Sequence, residues 1–191
     1  MASVMTDNSV PQSESSGDAL LAARREKLRK IEALGIDPWG SRFDNHQPIG
    51  DIRRRESEIV IAPPSPGHQH DEQHGPHVRA AGRIVLMRDT GKLIFADIRD
   101  WTDRIQLYIG KKQVGDQNWA LAQCLDLGDL IGVDGELKRT KTGELTIFAD
   151  GLHFLTKSLE TPPDKFHGLH DPELRQRLRY LDLIHGEGVL P

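Results

Sequence analysis

The sequence predicts a mainly β protein with helices, and three observations carry that class. From Val78 onward, short runs of alternating apolar and polar residues follow one another, broken by turns. The runs are VRAAGRIVLM, KLIFADIR, RIQLYIG, DLIGVDGELKR and ELTIFADGLHFL. Between the third and the fourth lies one segment of helical character, QNWALAQCLDLG, in which Trp119, Leu121, Ala122 and Leu125 can share a face. Five short strands with one helix between strands three and four is the order of an OB-fold, a partly open five-stranded barrel.

Around that barrel, expected over residues 78–157, the chain divides by composition. Residues 1–18 are rich in Ser, Asp and Asn with almost nothing to bury, so a disordered tail is expected there. Residues 19–61 read as a helical extension. In ALLAARREKLRKIEALGIDPWG, Leu21, Leu28, Ile31 and Leu34 fall near one face, Asp18 can cap the start, and Gly35 with Pro38 ends the helix. PIGDIRRRESEIV suggests a second short helix. Residues 62–77, APPSPGHQHDEQHGPH, have no apolar period and read as a linker. Its histidines at 68, 70, 74 and 77 match no zinc spacing, so no metal site is expected. Residues 158–191 form a connector with a helix of its own: Asp171 caps it, Pro172 and Glu173 suit its first turn, and Leu174, Leu178 and Leu181 make an apolar stripe.

Composition limits the function classes. Lys and Arg total 25 against 29 for Asp and Glu, a net charge of -4, so any attraction to nucleic acid must be local. Cys124 is the only cysteine and sits in an apolar run, which excludes a disulfide framework and suits an inert thiol in a reducing compartment. No run approaches the ~20 apolar residues of a membrane span, and the N-terminus lacks a signal peptide's charged and apolar regions. A cytoplasmic protein without membrane contact is expected.

Strand alternation locates the candidate binding face. In the second strand Ile94, Ala96 and Ile98 point one way, leaving Leu93, Phe95, Asp97 and Arg99 on the other face. In the third, Ile105, Leu107 and Ile109 go inward, which puts Arg104, Gln106 and Tyr108 outward. An outward aromatic beside an outward amide on strands two and three is what an oligonucleotide-binding OB-fold needs. The flanking loops, RDTGK and KRTKTGE, supply Arg88, Lys92, Lys138, Arg139 and Lys141. Arg24, Arg25, Lys27 and Lys30 on the first helix read as further phosphate contacts or as a solvated face.

The stretches RREKLRKIEALGIDPWG, GKLIFADIRD, RIQLYIG, DLGDLIGVDGEL, RTKTGELTI and TKSLETPPDKFHGLHDPELRQRLRYLDLI resemble, in order and spacing, the N-terminal region of class II lysyl-tRNA synthetase. The likeness covers nearly the whole chain after the tail. It implies an anticodon-binding domain for lysine tRNA. Phe95 matches the family's stacking aromatic, Gln106 the amide that reads the central anticodon base, and Arg88 and Glu144 two further base contacts. A carboxylate suits such a site because it accepts a proton from a base edge such as the uracil imino group.

In the full-length family ATP and Mg²⁺ serve the catalytic domain, which is a homodimer's; here the class II catalytic motifs would lie beyond Pro191. The resemblance therefore implies a truncated or split lysine–tRNA ligase that is inactive alone, binds no cofactor of its own, and could work with a separately encoded catalytic chain. No P-loop or nucleophile elbow replaces the missing motifs, and HGLH at 167–170 reads as connector. Two other readings are a free-standing single-strand-binding OB module and an assembly module that uses the Leu174, Leu178 and Leu181 stripe.

Overall fold

The computed structural model describes residues 12–63, 72–160 and 172–185. In chain order the elements are α1 (Gln12–Ala33), α2 (Ile49–Arg54) running into a 3-10 turn (Arg55–Glu58), β1 (Val60–Ala62), β2 (Glu72–His74), β3 (His77–Asp89), β4 (Leu93–Arg99) and β5 (Arg104–Gly110). Then follow α3 (Lys111–Ala122), β6 (Leu130–Arg139), β7 (Leu145–Thr156), α4 (Pro172–Arg177) and α5 (Arg179–His185).

The five long strands close into a barrel in the order β3-β4-β5-β7-β6, with α3 joining β5 to β6, the third and fourth of them along the chain, so the predicted OB-fold is present. β3 belongs to two partners: His77–Arg83 pairs with β6 and Arg83–Asp89 with β4. The register slips between Ile84 and Leu86, and such a one-residue bulge bends a strand enough to turn the corner of a barrel. Inward residues of every strand meet in one core, with Ile98, Leu107, Ile109, Val133 and Ile147 fully buried. Trp119, Leu121, Ala122 and Leu125, the predicted shared face, are buried with them. Cys124 is buried too, and burial pushes its thiol up, as befits an inert side chain.

The N-terminal extension is part of this core. Ile31 of α1 and Ile49 and Ile52 of α2 are fully buried within the same cluster, each contributing about 2 kcal/mol of apolar burial. α1 begins at Gln12, upstream of the Asp18 cap that the sequence suggests, so 12–18 of the expected tail are helical. Propagating a helix already nucleated elsewhere costs little, which lets this polar stretch join it. Residues 1–11 lie outside the described residues.

Two of the helix cations serve this docking and are not presented to phosphate. Arg24 is buried, and its guanidinium donates to the carbonyls of Leu127 (3.0 Å), Ser158 (2.8 Å) and Glu160 (3.3 Å). Lys27 donates to the Leu125 carbonyl and to Asp126 at 2.7 Å. Beneath them Lys157, its side chain fully buried, pairs with the equally buried Asp129 at 2.8 Å and with Asp126 at 2.7 Å. Asp129 also accepts the backbone N–H of Asp126 and of Ser158, so every charge in the seam is paired.

α2 is held from a distance. No side chain of its own caps it; the Asp100 carboxylate in the β4–β5 turn accepts Ile49 N–H at 2.8 Å, and Thr102 Oγ1 accepts Gly50 N–H at 2.8 Å. The segment between α1 and α2 is pinned by Phe43, whose ring sits so close over Gly132 that a Cβ there would lie 2.6 Å from it. The Arg79 guanidinium covers that ring at 3.8 Å while holding Asp134.

The stretch 62–77 is more than a linker. β2 pairs with β1, and the Gln73 side chain donates to and accepts from the Arg139 backbone, fastening the two-stranded arm to the end of β6. Residues 64–71, with His68 and His70, lie outside the described residues. In place of one connector helix there are two short ones, α4 and α5, separated at Leu178. Leu178 and Leu181 are half-buried; the Leu174 side chain lies outside the described residues, as do 161–171 and 186–191. Among the described residues, no helix is long and apolar enough to cross a membrane, and no group of three or more metal-ligating side chains occurs.

Two outcomes follow from these anchors. Arg24→Ala leaves three carbonyls without their charged donor, so α1 should loosen by about 2 kcal/mol, seen as faster amide hydrogen exchange in α1 than in the barrel. Burial pushes the Asp100 carboxyl up, but the N–H of Ile49, the Thr102 hydroxyl and the N–H groups of Asp103 and Thr102 outweigh it and hold the carboxyl below the ordinary range. Its stabilisation is thus present above the unfolded value, about pH 4, and is lost as pH falls through the lower folded one. The stability gap between wild type and Asp100→Asn in urea unfolding should be full at pH 7 and shrink below about pH 4.

Candidate nucleic-acid interface

The outward residues of β4, β5 and β7 form one surface because of how the strands are registered. Phe95 lies opposite Arg88 on β3 and opposite Tyr108 on β5; Gln106 lies opposite Asp97 on β4 and opposite Thr146 on β7; Tyr108 lies opposite Phe148. Three aromatic rings therefore run across three adjacent strands. Phe95 meets Tyr108 edge to face at 5.6 Å, and Tyr108 stacks on Phe148 at 4.6 Å. Arg88 stands 5.4 Å over the Phe95 ring and Lys138 6.0 Å over the Phe148 ring, closing the row with a cation at each end.

Phe95, Gln106 and Tyr108 are half-buried, so each offers part of its surface outward. The row supports the Phe95 and Tyr108 rings from the side, which is what a stacking platform requires. Asp97 shares the outward face, yet it is buried at 9% exposure. It lies opposite Gln106 in the register, and Arg104 Nε pairs with its carboxylate at 3.6 Å. Little of it is left to reach from outside.

The two flanking loops have the turns their glycines require: Gly91 has φ +89° and Gly143 φ +88°, conformations that other residues rarely adopt. Asp89 accepts Gly91 N–H at 2.7 Å, and Thr140 N–H donates to the Glu144 carbonyl at 2.9 Å. These bonds hold Arg88 and Glu144, both exposed, at the rim of the aromatic row. The structure thus brings Arg88, Phe95 and Gln106 to one face and Glu144 beside Thr146 at its edge.

The candidate cations separate into two sets. Lys92 and Lys141 are exposed in the loops, and Arg25 and Lys30 are exposed on α1. Lys138 is paired with Glu136 at 2.6 Å, and Arg139 is paired with Glu56 of the 3-10 turn. Reading the sequence missed Phe148 and the use of Tyr108 as its partner. The signal was available in β7, where Phe148 alternates outward with Thr146, but only the pairing of β7 beside β5 gives it meaning.

Residues 78–155 match the family model of the OB-fold nucleic acid binding domain. Over 175 residues, 92% of this chain, the sequence is 43% identical to the lysine–tRNA ligases of Staphylococcus aureus strains Mu3, Mu50 and N315. The chain spans about a third, 34%, of the length of these curated relatives. Because Phe148 braces Tyr108, which braces Phe95, Phe148→Ala should weaken binding of an oligouridine by about threefold to tenfold in fluorescence titration, with the fold retained by circular dichroism.

Proposed function

We propose that this chain, an OB-fold homologue of the N-terminal, anticodon-binding part of lysyl-tRNA synthetase, binds the anticodon arm of a lysine tRNA and reads its central base. The observation that carries the reading is the outward amide of Gln106 beside a braced aromatic, Phe95, on the second and third barrel strands. One unstacked base lies on Phe95, a contact of about 1–3 kcal/mol that any base can make. Gln106 hydrogen-bonds the edge of the central base and supplies the choice. Arg88 packs over the Phe95 ring and reaches the same base stack, and the Glu144 carboxylate accepts a base N–H at the rim.

Phosphate contacts fall to exposed cations without an acid partner among the described residues, Lys92 and Lys141 beside the site and Arg25 and Lys30 on α1 among them. Lys138 and Arg139, already paired, contribute less. With a net charge of -4 the chain has no long-range pull on RNA, so affinity rests on these few contacts and on stacking. This reading gives lysine activation, with its ATP and Mg²⁺, to the part of the relatives outside the matched third, and gives a catalytic chain or a second copy as the partner. The cytoplasm, where tRNA is charged, is the compartment it implies.

The test is binding of the chain to a lysine-tRNA anticodon stem-loop, beside the same hairpin with its central uridine changed to cytidine, at fixed near-physiological salt. Selective binding that drops about tenfold or more in Phe95→Ala, and selectivity that disappears in Gln106→Ala, is the expected result. Equal binding to both hairpins by the wild-type chain would reduce it to a general single-strand binder. Lysine-dependent pyrophosphate exchange by the purified chain would refute the assignment of activation elsewhere.

A further inference from the structure

A glutamine amide can present either of two opposite groups to a base. Its NH₂ end donates and its carbonyl end accepts, and the two exchange by a half-turn of the terminal torsion. A residue that reads by such an amide is selective only where something decides which end faces out. The choice matters for pyrimidines: uracil offers an O4 acceptor at the position where cytosine offers an N4–H₂ donor.

In this chain the deciding group is Thr146. Its side chain is fully buried on β7, registered directly against Gln106 through the parallel β5–β7 pair. Thr146 Oγ1 lies 3.0 Å from Gln106 Oε1 and 3.1 Å from the carbonyl oxygen of Glu144. A hydroxyl has one proton to give. The end of the amide that faces the hydroxyl is Gln106 Oε1, an acceptor, and the Thr146 hydroxyl is the one donor that it has among the described residues, whereas the Glu144 carbonyl also accepts the N–H of Thr140 at 2.9 Å. Given to Gln106, the proton leaves neither oxygen without a donor. Buried beneath the amide, the hydroxyl has no water to take its place, and the carbonyl end of Gln106 is tied down.

We propose that Thr146 is the positioning residue that fixes the polarity of the Gln106 amide, turning its NH₂ outward and so making the site select a base with an acceptor at the read position, uracil over cytosine. The inference rests on the anticodon reading above and deepens it. Thr146 touches no RNA; it acts through Gln106. The Thr140–Glu144 turn has a part as well, because Thr140 N–H gives the Glu144 carbonyl a donor of its own when the Thr146 proton is on Gln106.

The experiment compares the full chain with Thr146→Val and Thr146→Ser on the two anticodon hairpins, central uridine and central cytidine, reading the ratio of the two dissociation constants. Valine keeps the branched shape that suits a strand and removes the donor; serine keeps the donor and removes a methyl. The expected result is a ratio about tenfold lower in Thr146→Val, mainly through tighter binding of the cytidine hairpin, and near wild type in Thr146→Ser. A gain of affinity for one ligand is not something a merely destabilised fold would produce. If wild type discriminates and Thr146→Val keeps its ratio, or Thr146→Ser loses it as fully as valine, the positioning role is overturned while anticodon reading stands. If wild type does not discriminate, anticodon reading fails and this inference with it.

Discussion

Only three residue pairs join β5 to β7, yet the candidate site depends on them: Gln106 with Thr146, Leu107 with Ile147, and Tyr108 with Phe148. This is the one parallel seam in the barrel, and a parallel pair needs a crossover connection. Here α3 and β6 together supply it. Without that seam β5 would be an edge strand, Tyr108 would have no second ring against it, and Gln106 would face water on the side now closed by Thr146. The seam converts a sheet surface, which any antiparallel hairpin could offer, into a rigid platform with a directed amide.

Electrostatics are divided between architecture and surface. Arg24, Lys27 and Lys157 spend their charges inside the molecule, satisfying carbonyls and the Asp126–Asp129 carboxylates. Arg79 does the same for Asp134 while covering Phe43. Of the cations that remain outward, Arg88, Lys92 and Lys141 lie at the rim of the aromatic row and Arg25 and Lys30 on α1. A surface of that kind discriminates by contact, because a weak general attraction leaves hydrogen-bond geometry and stacking to decide which strand stays bound.

The barrel was legible in the sequence because its information is local. Alternation marks each strand, and the faces assigned to Phe95, Gln106 and Tyr108 by period two are the faces they occupy. The helix between strands three and four was legible by its apolar period. What escaped was what depends on distant partners. Periodicity puts Arg24 and Lys27 on a helix but cannot show that the carbonyls of Leu127 and Ser158 wait for Arg24 and that of Leu125 for Lys27. Asp97 alternates outward like its neighbours and is nonetheless buried. Glu72–His74 lacks any apolar pattern and still becomes a strand, since backbone and Gln73 amide bonds do the pairing. Phe148 and Thr146 were plain in β7, but their value comes from a seam between strands far apart in the chain.

The buried Lys157–Asp129 pair has a bearing on how such a chain can vary over time. Changing Lys157 alone strands the buried Asp129 carboxylate, a loss of about 3–5 kcal/mol and a large share of a small domain's stability, and changing Asp129 alone leaves Lys157 with Asp126 only and two backbone N–H groups without an acceptor. Changing both together to well-packed apolar residues avoids the stranded charge and leaves the smaller cost of the N–H groups of Asp126 and Ser158 losing their acceptor. The two positions, separated along the sequence by the whole of β6 and β7, are therefore linked in inheritance by physics: a lineage that keeps the pair or replaces it whole loses less than one that passes through either single change.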